Sequence, residues 1–323
     1  MPYKILVPQY IPTEGLQPLL GAGCEFITDC GCSEDELCEA IVDCDAVLAR
    51  TAKYTRRVLE AGKKLKIIGR FGVGFEKIDI MAAQELGIWV SNTPHAITNT
   101  VAEHAMGLII SVARNMSFNE REFRNGNFAI RSTSYGVELE GKTLGLIGFG
   151  KIGSCLAKKC MVGLDMKILA YDPYINENTI PEGMELSKNL KYVLNNSDFI
   201  SMHLPLLPST KGMMNKELFG EMKPTAYFIN TCRGGVVAEK DMINALKTKQ
   251  IAGAGLDVYE QEPPLAENEL FTLPTVTMTP HDASVTVESF NRMSEHVGLC
   301  VADVLLRKTS PRWPVNKPEN PRT

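Results

Sequence analysis

The stretch Thr143-Leu-Gly-Leu-Ile-Gly148-Phe-Gly150-Lys-Ile-Gly153 constrains this chain more than any other. It reads as strand, turn and helix, with Gly148, Gly150 and Gly153 in G-x-G-x-x-G spacing. The first glycine permits a tight turn, the second lets backbone approach a pyrophosphate, and the third lets helix pack on strand. The helix N-terminus adds amide donors and partial positive charge for phosphates. A second strand, Met166–Asp172, ends in an acid 19 residues after Gly153. An acid there accepts hydrogen bonds from ribose hydroxyls. Pro173 and Tyr174 follow it, with no arginine to neutralise a 2′-phosphate, which favours NAD over NADP.

Short apolar runs alternate with amphipathic stretches on both sides of this motif. Before it, Ile5–Val7, Ala46–Leu48, Leu65–Ile68 and Ile88–Val90 read as buried strands, with helical segments such as Glu34–Val42 and Ile80–Leu86 between them. After it come Lys167–Ala170, Phe199–His203, Ala226–Asn230, Ala254–Val258 and Thr275–Thr279. Continuous apolar strands alternating with helices predict parallel sheets covered on both faces. Thr100-Val-Ala-Glu103 carries a capping-box signature for a helix reaching about Arg114. The proline-rich tail Pro311–Pro321 should run along the surface without helix.

The chain has 323 residues, enough for about two domains. Its formal net charge of −4 gives no basic signature of a nucleic-acid binder. No apolar run approaches the ~20 residues of a membrane span, and the N-terminus reads as a first strand rather than a signal peptide, so a cytoplasmic protein is expected. The nine cysteines are odd in number and lack paired zinc spacing, so they are expected to be free thiols, with no metal site.

Three residues lie just beyond strand carboxyl ends, where open α/β sheets bind ligands: Arg233, Glu262 and His281. Reduction of a 2-keto acid needs a proton for the carbonyl oxygen and an anchor for the carboxylate. Histidine supplies the first near neutral pH, a neighbouring glutamate holds it charged, and an arginine grips the carboxylate with two prongs. Singly, each residue has an ordinary structural explanation; their joint occurrence at successive strand ends points to hydride-transfer chemistry.

At these residues the chain closely resembles the D-isomer-specific 2-hydroxyacid dehydrogenase family, over nearly its whole length. Leu144–Tyr174 is similar to the family's glycine motif, His203–Gly212 to a second signature, and Met222-Lys-Pro through Arg233-Gly-Gly-Val-Val to a third. The resemblance implies that Arg233, Glu262 and His281 are catalytic. It carries cofactor contacts to Lys151, Ile152, Asp172, Leu204, Thr231, Cys232, Arg233 and Asp257, with Asp257 near the nicotinamide amide, and it makes His203 a structural support. It implies two Rossmann-like or flavodoxin-like parallel-sheet domains with the active site in a cleft between them. The substrate domain would comprise residues 1–99 and 286–323, and the NAD-binding domain residues 100–285. A homodimer through the NAD-binding domain is also implied. Arg50 and Thr51 resemble a substrate-contacting loop, and Arg70, Gly72, Val73 and Gly74 a loop whose amides meet the substrate carboxylate, as such turns can.

Two departures bear on substrate. Phe75-Glu76-Lys77 replaces the usual Asp-Asn before Ile78-Asp79, and Asp282-Ala283 follows His281 where the family has an apolar residue and glycine. A second acid beside His281 raises its pKa, rejects a negatively charged substrate group, or points to solvent. Hydroxypyruvate, glyoxylate, phosphohydroxypyruvate and bulkier keto acids all remain open as substrates. Two other readings of the same fold are an NAD(H)-sensing, corepressor-like regulator and a phosphite-type oxyanion dehydrogenase.

Overall fold

A computed structural model describes residues 2–176 and 180–322. The chain divides into two compact units, one built from residues up to Ile97 together with those from Val285 onward, the other spanning Thr98–Ser284. Each is a wholly parallel sheet with helices on both faces.

The first unit contains β1 (Lys4–Leu6), β2 (Glu25–Ile27), β3 (Ala46–Ala49), β4 (Ile67–Arg70) and β5 (Trp89–Ser91), in spatial order β2-β1-β3-β4-β5. Order reverses between β1 and β3, which leaves a crevice beyond their carboxyl ends. Its inner strands are apolar on both sides because two clusters cover them. Ile5, Leu48 and Ile67 pack with Val297 and Val301 of the helix Val287–Leu305, while Leu6, Val47 and Ile68 pack with Leu37, Leu59 and Ala82.

The second unit contains β6 (Thr143–Ile147), β7 (Lys167–Tyr171), β8 (Met184–Ser187), β9 (Phe199–Met202), β10 (Tyr227–Asn230), β11 (Gly253–Leu256) and β12 (Val276–Met278). Their order is β12-β11-β10-β9-β6-β7-β8, so the reversal falls between β6 and β9. Gly148 follows β6 and His203 follows β9, which sets the glycine loop at the switch point.

Nearly every inner strand lies where its apolar run predicts. The edge strands β2 and β8 escape sequence reading because they pair on one side only and carry polar residues, Glu25 in one and Glu185 and Ser187 in the other. The helix anticipated from Thr100 runs Thr98–Ala113. Its supposed capping box lies inside it: Thr100 is buried, and Glu103 accepts from Asn99 Nδ2 at 2.7 Å and pairs with Lys159 at 3.1 Å. The helix at Glu34 ends at Ala40 and carries a true capping box, Ser33 with Glu36.

The proline-rich tail is non-helical but does more than cross the surface. Asn316 is buried, accepting from Val90 N at 2.8 Å and donating to Ile88 O at 2.9 Å. Val315 N donates to Val90 O at 2.7 Å, so the tail covers the free edge of β5. All nine cysteines are free thiols. Among the described residues no helix is long and apolar enough to cross a membrane.

Candidate active site

The glycine loop has the geometry its spacing demands. Gly148 has φ +98°, and a Cβ there would lie 2.5 Å from the His203 carbonyl oxygen. A Cβ on Gly153 would lie 2.3 Å from the Gly148 carbonyl oxygen, so the helix Lys151–Gly163 packs directly on the turn. Gly150, at the N-cap, meets nothing within 4 Å, which leaves backbone open to a ligand. Lys151 and Ile152 begin that helix.

Asp172 lies one residue beyond β7. Its carboxylate accepts from Phe149 N at 3.0 Å and from Tyr174 N at 2.9 Å, which ties it to the glycine loop. Leu204 packs at the edge of the sheet's core. Thr231 is buried, yet its hydroxyl has no hydrogen-bond partner. An orphaned buried hydroxyl is costly unless a ligand satisfies it. Together, the cramped glycines, the open Gly150 backbone and the orphaned Thr231 fit a dinucleotide.

Beyond β10, Asn230 shapes the turn that presents Arg233. Its Nδ2 donates to Arg233 O at 3.0 Å, and its Oδ1 accepts from Cys232 N at 3.1 Å. The Arg233 guanidinium returns to Cys232 O at 2.6 Å. The next residue must be glycine, because a Cβ on Gly234 would lie 1.8 Å from Tyr259 O. The Arg233 turn and the loop leading to Glu262 are therefore packed backbone to backbone.

His281 sits at φ +56°, an uncommon conformation for a residue with a side chain. Its Nδ1 lies 2.7 Å from Glu262 Oε2. Glu262 Oε1 accepts from Tyr259 N at 3.1 Å, and the Tyr259 hydroxyl donates to Thr279 O at 2.7 Å. Tyr259 thus ties the glutamate loop to the strand end that carries the histidine. The hydrogen bond to Glu262 raises the His281 pKa against partial burial, and Asp257 adds to it. Burial pushes Glu262 up, but the His281 bond and charge outweigh it and hold the carboxyl low. Arg233 acts on both through its charge, which brings all three expected residues into one electrostatic group.

Asp257 is fully buried. It accepts from Asp282 N at 2.9 Å, Ala283 N at 3.0 Å and Thr279 Oγ1 at 2.6 Å, so it fastens the turn after His281. Thr279 Oγ1 also lies 2.9 Å from His104 Nε2. Burial still pushes the Asp257 carboxyl above the usual range. His104, Asp257 and Asp282 bring one nitrogen and two carboxylate oxygens within 4.8 Å of one another. The Thr279 hydroxyl already bridges the nitrogen to Asp257, so hydrogen bonds hold this group together.

Asp282 is turned to His104, and the acids that raise His281 are Glu262 and Asp257. His203 is neutral: burial drives its pKa to about 4, and Nε2 pairs with Ser201 Oγ at 2.9 Å. That suits structural support.

In the first unit, the expected substrate segments lie at the β1/β3 reversal and the neighbouring end of β4. Gln9 Oε1 accepts from Thr51 N at 2.7 Å and Ala52 N at 3.1 Å. The Arg50 guanidinium lies over the Phe290 ring at 5.1 Å. The Arg70 guanidinium covers Gly72, whose φ is +130°. Gly72 N donates to Thr93 Oγ1 at 3.1 Å, so that amide is already used, and Val73 O accepts from Asn92 Nδ2 at 2.7 Å. Val73 and Gly74 complete the turn.

Tyr259, Asn230, Thr279, His104 and Gln9 were not singled out from sequence. Asn230 and Thr279, at strand ends three residues before Arg233 and two before His281, carried a positional signal.

Residues 106–283 match the profile "D-isomer specific 2-hydroxyacid dehydrogenase, NAD binding domain". A D-3-phosphoglycerate dehydrogenase of Methanocaldococcus jannaschii is 40% identical over 288 residues, which is 88% of this chain and 54% of that protein. The chain thus spans about half the length of that relative. A hydroxypyruvate reductase of Thermotoga maritima is 39% identical over 90% of this chain and 94% of its own. The crystal structure of an NADPH-dependent glyoxylate/hydroxypyruvate reductase from Sinorhizobium meliloti, in complex with NADP and malonate, aligns with a TM-score of 0.87 at 28% identity, covering 100% of this chain and 99% of that one.

Proposed function

The chain belongs to the D-isomer-specific 2-hydroxyacid dehydrogenase family, whose cofactor is a nicotinamide dinucleotide, and from that premise we propose that it interconverts a 2-keto acid and a D-2-hydroxy acid with NAD. The observation that carries this reading is the 2.7 Å bond between His281 Nδ1 and Glu262 Oε2. It commits Nδ1 to the glutamate and leaves Nε2 as the proton-handling atom.

With a dinucleotide held by its pyrophosphate at the glycine loop, the nicotinamide would supply or accept the hydride at substrate C2. In reduction, His281 gives its Nε2 proton to the carbonyl oxygen, and Glu262 keeps the imidazole charged until that transfer. In oxidation, neutral His281 takes the hydroxyl proton. Arg233 orients the substrate carboxylate and polarises the carbonyl. General acid–base help of this kind contributes ~10²–10⁴-fold.

Residues 98–284 serve as the NAD-binding domain in this reading, and the other unit as the substrate domain, with Arg50, Thr51 and the Arg70–Gly74 turn facing the substrate. Asp172 supports NAD over NADP, since its carboxylate repels a 2′-phosphate. A homodimer through the NAD-binding unit is supported by the helix Met116–Arg124, which buries no residue, and by exposed Met116, Phe123, Phe128 and Tyr135. A cytoplasmic location completes the proposal.

The test is NADH oxidation across a panel of 2-keto acids, with NADPH for comparison. Turnover on one acid names the substrate pocket. Absence of turnover on every acid, despite tight NADH binding, sinks the reductase reading.

A further inference from the structure

We propose that Asp282 makes the site favour the oxidised over the reduced dinucleotide. This rests on the dehydrogenase reading.

Asp282 directly follows His281, with the two Cα atoms about 3.8 Å apart across one peptide. Its amide is fixed on Asp257 Oδ1 at 2.9 Å. Its Oδ1 is shielded from solvent, has no hydrogen-bond partner, and stands 3.9 Å from His104 Nε2. Asp257 Oδ1 stands 3.6 Å from the same nitrogen. Two carboxylates therefore converge on one imidazole nitrogen. That nitrogen is 2.9 Å from Thr279 Oγ1, whose own hydrogen goes to Asp257 at 2.6 Å. The Nε2 hydrogen is thus directed at Thr279, and the inner oxygen of Asp282 receives no direct hydrogen bond.

Asp282 follows the proton-handling histidine in the chain, with its side chain turned to His104 and 43% exposed. The nicotinamide ring must meet the substrate carbon whose oxygen His281 serves, so it works within the field of residue 282. The ring carries a unit positive charge when oxidised and none when reduced. A carboxylate ~10 Å away, at an effective dielectric of ~20, shifts the balance between the two by about tenfold.

The test is equilibrium binding of NAD⁺ by calorimetry and of NADH by fluorescence. Both are measured above the pH at which His281 loses its proton, for the wild-type chain, Asp282→Asn and Asp282→Leu. In both variants the Kd for NAD⁺ should rise about tenfold while that for NADH stays within about twofold. Retained NADH binding also shows that the variants fold. If both constants move together, or neither moves, the inference is overturned while the dehydrogenase reading stands. A wild-type chain that binds neither dinucleotide overturns the dehydrogenase reading and this inference with it.

Discussion

A Cβ on Gly234 would lie 1.8 Å from the carbonyl oxygen of Tyr259. The residue after Arg233 is therefore pressed against the loop whose amide at Tyr259 holds Glu262. Gly234→Ala should push the two loops apart and displace both Arg233 and Glu262. We expect kcat/KM to fall at least ~10²-fold, since small misplacement of positioning groups costs that much. Steady-state kinetics beside a melting curve checks this; unchanged kcat/KM in a folded variant refutes the coupling.

His281→Ala should lower turnover by ~10²–10⁴-fold and leave NADH affinity near wild type. The contrast separates a proton-handling role from a cofactor-binding one. Equal losses in both would assign His281 to binding.

Glu262→Gln should displace the pH profile. Glu262 raises the His281 pKa, and keto-acid reduction needs the protonated imidazole, so the reductive rate falls as pH rises through that raised value. Without the carboxylate the limb moves to lower pH, and the rise of the oxidative rate moves with it. The same pair has a stability counterpart. The His281 contribution is present below its unfolded pKa and lost as pH rises through the raised folded value. The Glu262 contribution is present above its unfolded pKa and lost as pH falls through the lowered one. Side-chain exposures of 48% and 36% keep both contributions small beside the kinetic effect. A reductive limb that does not move in the variant would remove Glu262 from this role.

Thr279→Val removes the hydroxyl that links His104 Nε2 to Asp257. Loss of a buried hydrogen-bonded partner costs about 1–3 kcal/mol. The melting temperature should fall accordingly. Because Asp257 fastens the turn after His281, kcat should fall as well. A lower melting temperature with unchanged kcat would confine Thr279 to a purely structural part.

Asp172→Ala should weaken NAD binding and narrow the margin between NAD and NADP. Titration of both cofactors checks it; an unaltered preference would locate that discrimination elsewhere. The melting temperature serves as control, because Asp172 also holds Phe149 N.

Much of this protein was determined by local sequence. Gly148, Gly150 and Gly153 are required by backbone geometry alone, and apolar runs such as Thr143–Ile147 read as strands because a sheet covered on both faces leaves no polar alternation. Arg233, Glu262 and His281 were visible because each follows a strand. The edge strands β2 and β8 were not, since pairing on one side relaxes the need for apolar residues.

Only the tertiary structure decided which groups act on which. Glu262 and His281 are 19 positions apart, and Asp257 and Asp282 25 apart, yet each pair is bonded. The roles of Tyr259, Thr279 and His104 exist only because parallel strands distant in sequence end side by side. Asp282 shows the limit most clearly. Its neighbour in sequence is His281, but its side chain turns to a helix nearly 180 residues earlier, because its backbone amide is held by Asp257. Sequence order sets which chemistry a strand end carries; the direction of a side chain follows from the hydrogen bonds that fix its backbone, and those come from elsewhere in the chain.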